Sequence, residues 1–287
     1  IFIFYIVLSI IILSLLNFSG IRLYNSLNLM MTLVSGGGFL PSDNLNEIIS
    51  TNFQKLVLIF SLIIGLINFF ILFNIFNKKI ITKEHKEDFY LLALSIILIL
   101  FIYYNNFDGL NTIISVLSSL ANSGLTLKII DNNLSLYFLF LTIIGGSLLS
   151  NTSGIKMSRF YILLKITSSE IIKLISPNSV INKTIFGSEK RITDDNIKTS
   201  FLIFISFFIS LFILSSFLVL DNIGFEKSFK LAILALTNTV NSEMFNLQSL
   251  NFENLLTSSK ISLIIFMIIG KIELISVFLI IKKIFFK

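Results

Sequence analysis

The chain has 287 residues, of which 55% are hydrophobic and 13% charged, and its mean hydropathy is +0.92. A soluble domain could not cover so much apolar surface with so few charges, so the composition predicts a membrane protein. The sequence contains no cysteine and one histidine, which excludes disulfides and thiolate metal sites.

Long apolar runs, taken in chain order, predict six membrane crossings. Each could traverse a hydrocarbon layer of about 30 Å. They lie at about 1–18, 56–76, 89–104, 134–149 continuing through 155–164, 199–220 and 261–281. Three connections between them each hold an apolar stretch of only about 12–14 residues, too short to span, which predicts re-entrant segments. These connections are 19–55, 105–133 and 221–259.

The basic residues are unevenly shared between the two sides. The connections 77–88 and 165–198 and the tail 282–287 together hold 13 Lys and Arg, against 5 in the three connections that carry short apolar stretches. The excess of positive charge marks the cytoplasmic side. The short apolar stretches are therefore predicted to enter the membrane from outside.

The three short stretches also align as an internal repeat. YNSLNLMMTLVSGGGF begins at Tyr24, LNTIISVLSSLANSGL at Leu110 and EKSFKLAILALTNTVN at Glu226. In each, a hydroxyl residue stands twelve positions before the residue where the pattern ends. The pairs are Ser26 and Gly38, Thr112 and Gly124, and Ser228 and Val240. Such recurrence predicts one structural unit used three times.

The end of such a short helix suits a cation. A helix that enters from outside directs its C-terminal partial negative charge and free carbonyls towards the membrane centre, and extended backbone after it can line a pore. We therefore interpret Gly36, Gly37 and Gly38, and Gly124 with Asn122 and Ser123, as filter segments. The alternative is an ordinary outer turn, with the glycine triplet capping a helix before Pro41.

A polar interruption breaks the fourth crossing. Gly145, Gly146 and the run 150–154 need a cavity or neighbouring chain to satisfy their backbone groups. Lys156 and Arg159 follow, and we expect them on one helix face. The alternative for both is that they extend to the cytoplasmic lipid surface.

Two charges lie inside the last crossing, where they are costly and indicate function. We expect Lys271 to face the pore, contact residues 150–154 and act as an electrostatic barrier to cations. Glu273, on another helix face, is expected to pair with a basic group of a neighbouring helix. Alternatively, both lie at the cytoplasmic boundary. His85 lies in the charged segment TKEHKED and receives no function.

Several motifs, in order, resemble the Trk/Ktr/HKT superfamily of potassium transporters, especially its TrkH-type membrane subunit. SGGGFLPSD, at 35–43, is similar to the family's second pore loop and ANSGL, at 121–125, to the third, while LTNTVNS, at 236–242, matches the fourth in part. GGSLLSNTSGIKMSR, at 145–159, resembles the signature between the last two pore loops, and GKIE, at 270–273, resembles the family's GRLE.

The resemblance implies an all-α polytopic membrane protein made of repeated span, re-entrant pore helix and span units around a pseudo-fourfold pore, with three units present. We expect a further unit upstream, because three leave a gap in the ring and the chain does not begin with Met. By resemblance, the potassium-coordinating groups are Gly36, Gly37, Gly38, Asn122, Ser123, Gly124, Asn238, Thr239 and Val240, chiefly through backbone carbonyls. The gate is formed by Ser150, Asn151, Thr152, Ser153, Gly154 and Lys271.

The implied function is potassium uptake through a channel-like pore in the cell membrane, the inner membrane of a bacterium. The resemblance further implies a homodimer in lipid, regulated by a cytosolic nucleotide-binding subunit similar to TrkA. No enzymatic activity and no nucleic-acid partner are expected. No bound cofactor is expected either, because potassium is the substrate. Two departures affect these expectations: Val240 replaces a usual glycine, and Lys271 replaces a usual arginine.

These patterns divide the chain into the second pore repeat (1–76), a cytoplasmic loop (77–88), the third repeat with its broken inner span (89–175), a second cytoplasmic loop (176–198) and the fourth repeat (199–287). Other cation channels and an alternating-access carrier with broken helices remain alternatives. A polytopic enzyme would need clustered catalytic groups at membrane depth, where only Lys271 and Glu273 qualify. A purely structural membrane subunit is the last alternative.

Overall fold

The computed structural model describes residues 2–42, 44–71, 85–105, 109–127, 132–177, 183–187, 191–240, 243–247 and 255–272, with the single residues 74, 179, 252 and 283. Within these residues the regular structure is helical, and no strand is formed. The α-helices are α1 Phe2–Phe18, α2 Leu23–Ser35, α3 Asn52–Leu66, α4 Lys86–Asn105, α5 Gly109–Leu120, α6 Asn132–Ile144, α7 Met157–Ile175, α8 Asp194–Leu220, α9 Phe225–Thr237 and α10 Thr257–Ile272.

Helices occupy all six predicted crossings. Helix α4, over 86–104, and helix α8 are long and apolar enough to cross a membrane, and shorter apolar helices include parts of α1, α3 and α6. Large apolar side chains on α8 remain uncovered by protein, among them Phe201, Phe212 and Leu220. Such a surface suits lipid rather than water.

The three short helices are the predicted half-length elements. Helices α2, α5 and α9 have 13, 12 and 13 residues, so each is about 20 Å long. At their starts, Ser26 Oγ donates to the Ile21 carbonyl at 3.2 Å and Ser228 Oγ to the Ile223 carbonyl at 3.1 Å. The recurring hydroxyl therefore ties the incoming chain to the first turn of the helix.

Each half-length helix lies between the spans of its own repeat. Helix α2 packs on α1 and α3, α5 on α4 and α6, and α9 on α8 and α10. Their apolar faces are fully buried at Leu29, Ile114 and Ala232. Contacts of α3 with α5 and of α6 with α9 join the repeats into one arrangement, so the three helix ends are brought together.

Gly270 allows one of these packings to be close. An added Cβ at this position would collide with the Leu236 carbonyl near the end of α9. The glycine of the GKIE motif thus brings α10 against the last turn of its half-length helix, and the side chain of Lys271 follows directly.

Two helix ends differ from the bounds of the predicted apolar runs. Helix α3 ends at Leu66, although a crossing was predicted up to residue 76, because Ile67 is extended and the Asn68 side chain accepts from Phe70 N at 2.9 Å. Helix α7 continues to Ile175, past the predicted end at 164. Pro177 disfavours helix only at the residue before it, so the sequence from 165 onward had no earlier stop.

Candidate functional site

All three half-length helices end in the same backbone turn. Gly36, Asn122 and Asn238 adopt left-handed conformations, with φ of 65°, 57° and 52°. The next residue in each segment donates its N–H to the carbonyl five positions earlier: Gly37 to Thr32, Ser123 to Ser118 and Thr239 to Leu234. This is a Schellman-type cap, which turns the chain sharply away from the helix axis. The predicted filter segments are therefore equivalent in conformation at their first two positions.

The three segments also meet. An added Cβ on Gly38, whose φ is 73°, would collide with the Ser123 carbonyl and lie 2.8 Å from Val240 Cβ. An added Cβ on Gly124 would lie 2.8 Å from the Val240 carbonyl. The second repeat therefore touches the third, and the third touches the fourth, through backbone that leaves no room for a side chain. Bare backbone is required here by this close approach.

Two hydroxyl groups fix the outgoing backbone beyond the glycines. Thr32 Oγ1 donates to the Phe39 carbonyl, and Ser118 Oγ donates to the Leu125 carbonyl at 2.6 Å. Both bonds join residues seven positions apart at equivalent places in two repeats. In the fourth repeat the equivalent residue is Leu234, and Thr237 Oγ1 instead contacts Thr239 Oγ1 at 2.9 Å.

The fourth segment thus differs in two related ways. Val240 replaces the third-position glycine and has no left-handed conformation, unlike Gly38 and Gly124. Its side chain instead fills the space beside Gly38. At the position where the family usually has glycine, the fourth segment therefore packs a valine side chain and makes no left-handed backbone turn.

The predicted gate residues form a compact loop between α6 and α7. Ile155 N donates to the Ile143 carbonyl at 2.9 Å and Met157 N to the Gly146 carbonyl at 3.0 Å, so the chain returns alongside the end of α6. Gly146 N donates to Thr152 Oγ1 at 2.9 Å. The interruption therefore satisfies much of its own backbone, as membrane depth requires.

Lys156 belongs to the inside of this loop. It is 4% exposed, and its ammonium donates to the carbonyls of Ser150, at 3.1 Å, and Thr152. The expectation that Lys156 and Arg159 share a helix face was wrong, because Lys156 precedes α7 and has φ of 77°. Its burial also excludes the alternative in which it extends to the lipid surface.

Lys271 and Asn151 connect the loop to the end of α2. Lys271 Nζ donates to the Ser35 carbonyl at 2.7 Å and to the Asn151 carbonyl at 2.8 Å. The Asn151 amide donates to the Val34 carbonyl. Three repeats therefore meet at one point: Lys271 from the fourth, Asn151 from the third and the end of α2 from the second.

The capping residue explains why Lys271 fits beside α2. Asn122 and Asn238 each donate their side-chain amide to the following span, to the carbonyls of Thr142 at 2.8 Å and Met267 at 2.7 Å. Gly36 has no side chain, and the Lys271 ammonium lies 3.8 Å from where its Cβ would be. The lysine therefore lies beside the one capping position of the three that has no side chain.

Two buried oxygen atoms without a partner lie in the predicted filter segment 122–124 and in the loop. Asn122 Oδ1 and Ser153 Oγ are buried and have no hydrogen-bond partner within the described part of the chain. Gly145 lies close to both residues, since its added Cβ would be 3.4 Å from Asn122 Oδ1 and would collide with the Ser153 carbonyl. Unpaired oxygens at this depth are available to water or to a cation.

The sequence interpretation missed two groups beside the loop. His85, expected in a solvated segment, is 2% exposed, and its Nδ1 lies 2.9 Å from Asp88 Oδ2. Glu87 accepts hydrogen bonds from the backbone of Leu148 and Ser158. The partners lie 61 and 71 residues away, and no local pattern signals such contacts. Glu273, which was expected to pair with a basic group of a neighbouring helix, lies outside the described residues.

Comparison with known proteins identifies the fold. No family model matches the sequence. The chain is 28% identical over 298 aligned residues to an uncharacterised cation transporter of Methanocaldococcus jannaschii, and the alignment covers all of this chain and 59% of that protein. The crystal structure of the potassium transporter TrkH from Vibrio parahaemolyticus superposes with a TM-score of 0.85 at 17% identity, covering 98% of this chain and 63% of TrkH. The chain therefore has the fold of TrkH, an all-helical polytopic membrane protein, which confirms at the level of the fold the resemblance found in its motifs.

Proposed function

We propose that the chain supplies three of the four walls of a cation pore that carries potassium into the cell. This proposal rests on one observation: the three capped segments meet, with Gly38 lying against Ser123 and Val240. The similar proteins are a cation transporter and a potassium transporter, which supports transport rather than enzymatic catalysis. The chain spans about 59% of the curated relative, so the activity of the whole protein is part of this proposal.

The chemistry follows from the helix ends. Helices α2, α5 and α9 direct their C-terminal carbonyls towards the meeting point, where a cation is favoured. Carbonyls of the segments 36–38, 122–124 and 238–240 replace part of the hydration shell of potassium. The hydroxyls of Thr32 and Ser118 keep the outgoing backbone in place. Potassium is the substrate, and no resident cofactor is required.

The gate in this proposal is the loop 150–154 together with Lys271. The loop lies beside the end of α2, and the lysine bridges the Ser35 and Asn151 carbonyls. A positive charge there opposes the exit of a cation from the filter. Opening requires the loop to move away from the helix end and to release these hydrogen bonds.

The proposed surroundings of the chain are membrane lipid, a second copy and a regulator, as the resemblance to TrkH-type subunits implies. Uncovered apolar side chains on α8 contact membrane lipid. A homodimer in the cell membrane and a cytosolic nucleotide-binding regulator similar to TrkA complete the system. The proposal includes no nucleic-acid partner. An alternating-access carrier also uses broken helices, but it offers no reason for three equivalent capped helix ends to meet.

A pair of glycine substitutions tests the filter. Gly38→Ala introduces a Cβ into the Ser123 carbonyl at positive φ, which costs about 1–3 kcal/mol in strain alone. We expect potassium uptake by the full-length protein in potassium-starved cells to fall at least about tenfold, or sodium to enter with it.

The matched control is Gly224→Ala, where an added Cβ meets nothing within 4 Å and φ is negative. It should leave uptake unchanged. Wild-type uptake and ion preference in Gly38→Ala, at normal amounts of protein in the membrane, would contradict the filter assignment.

A further inference from the structure

Glu87 joins the two ends of the loop between α6 and α7. Its Oε1 accepts a hydrogen bond from Leu148 N at 2.9 Å and another from Ser158 N at 3.1 Å. Leu148 precedes the predicted gate residues 150–154, and Ser158 follows them. A single carboxylate oxygen, supplied by the first turn of α4, therefore holds both sides of the loop.

Both donors need such an acceptor. Ser158 lies in the first turn of α7, where the N–H groups have no partner within the helix and where negative charge is favoured by the helix dipole. Leu148 follows α6, which ends at Ile144, so its N–H also lies outside a helix. The carboxylate of Glu87 accepts from two backbone N–H groups that would otherwise need water as a hydrogen-bond partner.

The neighbouring acid, Asp88, binds the chain after α3. Asp88 Oδ1 accepts from Asn68 N at 2.9 Å, and its Oδ2 lies 2.9 Å from His85 Nδ1. Phe69 N donates to the Leu149 carbonyl at 3.2 Å. The first turn of α4 is therefore fixed between the chain after α3 and the loop, and the position of the loop depends on that turn.

We infer that Glu87 is a positioning residue for the gate, because its carboxylate oxygen holds the loop under the end of α2, where Asn151 and Lys271 make their contacts. The inference rests on the proposed function. In this inference, a movement of the start of α4, at the junction of the second and third repeats, moves the loop through Glu87. Weakening this contact should loosen the loop without changing any filter residue.

Three substitutions separate the hydrogen bonds from the charge. Glu87→Gln keeps an oxygen that accepts both bonds and removes the charge. Glu87→Met keeps the length of the side chain and removes the acceptor, while Glu87→Asp keeps the charge and withdraws the oxygen by one methylene. Glu170→Met is the control, because Glu170 is an exposed carboxylate paired with Lys183 and Lys173.

The position of the loop can be read without ion flux. This chain has no cysteine, and Ser153 is 4% exposed, so Ser153→Cys in the full-length protein reports exposure of the loop to a membrane-permeant maleimide. We expect labelling at least about tenfold faster with Glu87→Met or Glu87→Asp, since two hydrogen bonds to a charged oxygen are lost or lengthened. Labelling with Glu87→Gln or Glu170→Met should stay near the Ser153→Cys rate.

Potassium leak is measured in the same variants, with and without Ser153→Cys. It separates the role of Glu87 in positioning the loop from the role of the loop as a gate. Leak that rises in Glu87→Met and Glu87→Asp but not in Glu87→Gln, with labelling to match, supports both. Faster labelling with unchanged leak keeps Glu87 as the residue that positions the loop and contradicts the gate. Equal labelling in all variants overturns the inference, and so does labelling in Glu87→Gln as fast as in Glu87→Met. If Glu87→Met does not reach the membrane, Glu87→Asp decides alone.

Discussion

Single residues give the three repeats different tasks at one equivalent position. Asn122 and Asn238 use their amides to hold the end of a half-length helix to the following span. Gly36 makes no such contact, and the ammonium of Lys271 lies beside it and donates to Ser35. The side chain missing from one repeat thus makes room for a charge from another.

Removing that charge should make the pore leak. Lys271→Ala eliminates both carbonyl contacts and the positive charge beside the end of α2. If the proposed filter lies there, basal potassium flux should rise several-fold. Lys271→Arg keeps the charge and should stay close to wild type. The measurement is potassium efflux from loaded vesicles containing the full-length protein. Lys173→Ala, at an exposed lysine paired with Glu170, is the control, and equal flux in all variants would contradict the barrier.

One residue was correctly selected from the sequence because a charge inside a membrane is costly wherever it lies. Lys271 was selected for that reason, and its contact with Asn151 is present, although its role as a barrier stays a prediction. Two other predictions were wrong. Lys156 was expected on one helix face with Arg159, but it precedes α7, and His85 was expected in a solvated loop because its neighbours in the sequence are charged. Both side chains are instead buried, Lys156 at 4% exposed and His85 at 2%. Their hydrogen-bond partners Thr152 and Asp88 are only four and three residues away, so the burial, and not the contact, is what the sequence did not show.

Among the elements, the half-length helices are the most uniform. They share a hydroxyl at the start, a Schellman-type cap at the end and burial between two spans. Length and spacing predicted them, because a run too short to cross the membrane must re-enter it. The break after α3 was not predicted, since the Asn68 turn depends on Asp88, 20 residues later.

The hydroxyl at the end of α5 should affect ion preference more than folding. Ser118→Ala removes the bond to the Leu125 carbonyl beyond Gly124, a loss of about 1 kcal/mol. We expect the protein to remain folded and the ratio of potassium to sodium uptake to fall. Ser168→Ala removes an exposed hydroxyl that bonds only within α7 and is the matched control. An unchanged ratio in Ser118→Ala would exclude its role in holding the filter backbone.

Across the whole molecule, the second and third repeats are joined by polar contacts at the start of α4. His85 lies between Asp88 and Asn74, with His85 Nε2 2.9 Å from Asn74 Nδ2. Asp88 in turn accepts from the backbone after α3. These groups are buried, and burial makes an incomplete polar network costly. The junction therefore contributes to the stability of the assembled repeats.

Replacing the histidine should destabilise the folded chain. His85→Leu leaves one oxygen of Asp88 without its partner in a buried site, at a cost of about 1–3 kcal/mol. Thermal unfolding of the full-length protein in detergent should occur several degrees lower than in wild type. His85→Gln, whose amide can still donate to Asp88, should recover part of the loss. A melting temperature unaffected by His85→Leu would contradict a structural role for the network.

The contrast between Gly36 and its two asparagine counterparts has a consequence for the origin of this architecture. In a ring of four identical chains, every subunit would carry the same residue at this position, and a lysine admitted beside one helix would be admitted beside all. Joining the repeats in one polypeptide lets each copy diverge by itself. In the proposed pore, near-symmetric walls would be kept while a single off-axis contact, between Lys271 and the end of α2, would control passage for the whole ring.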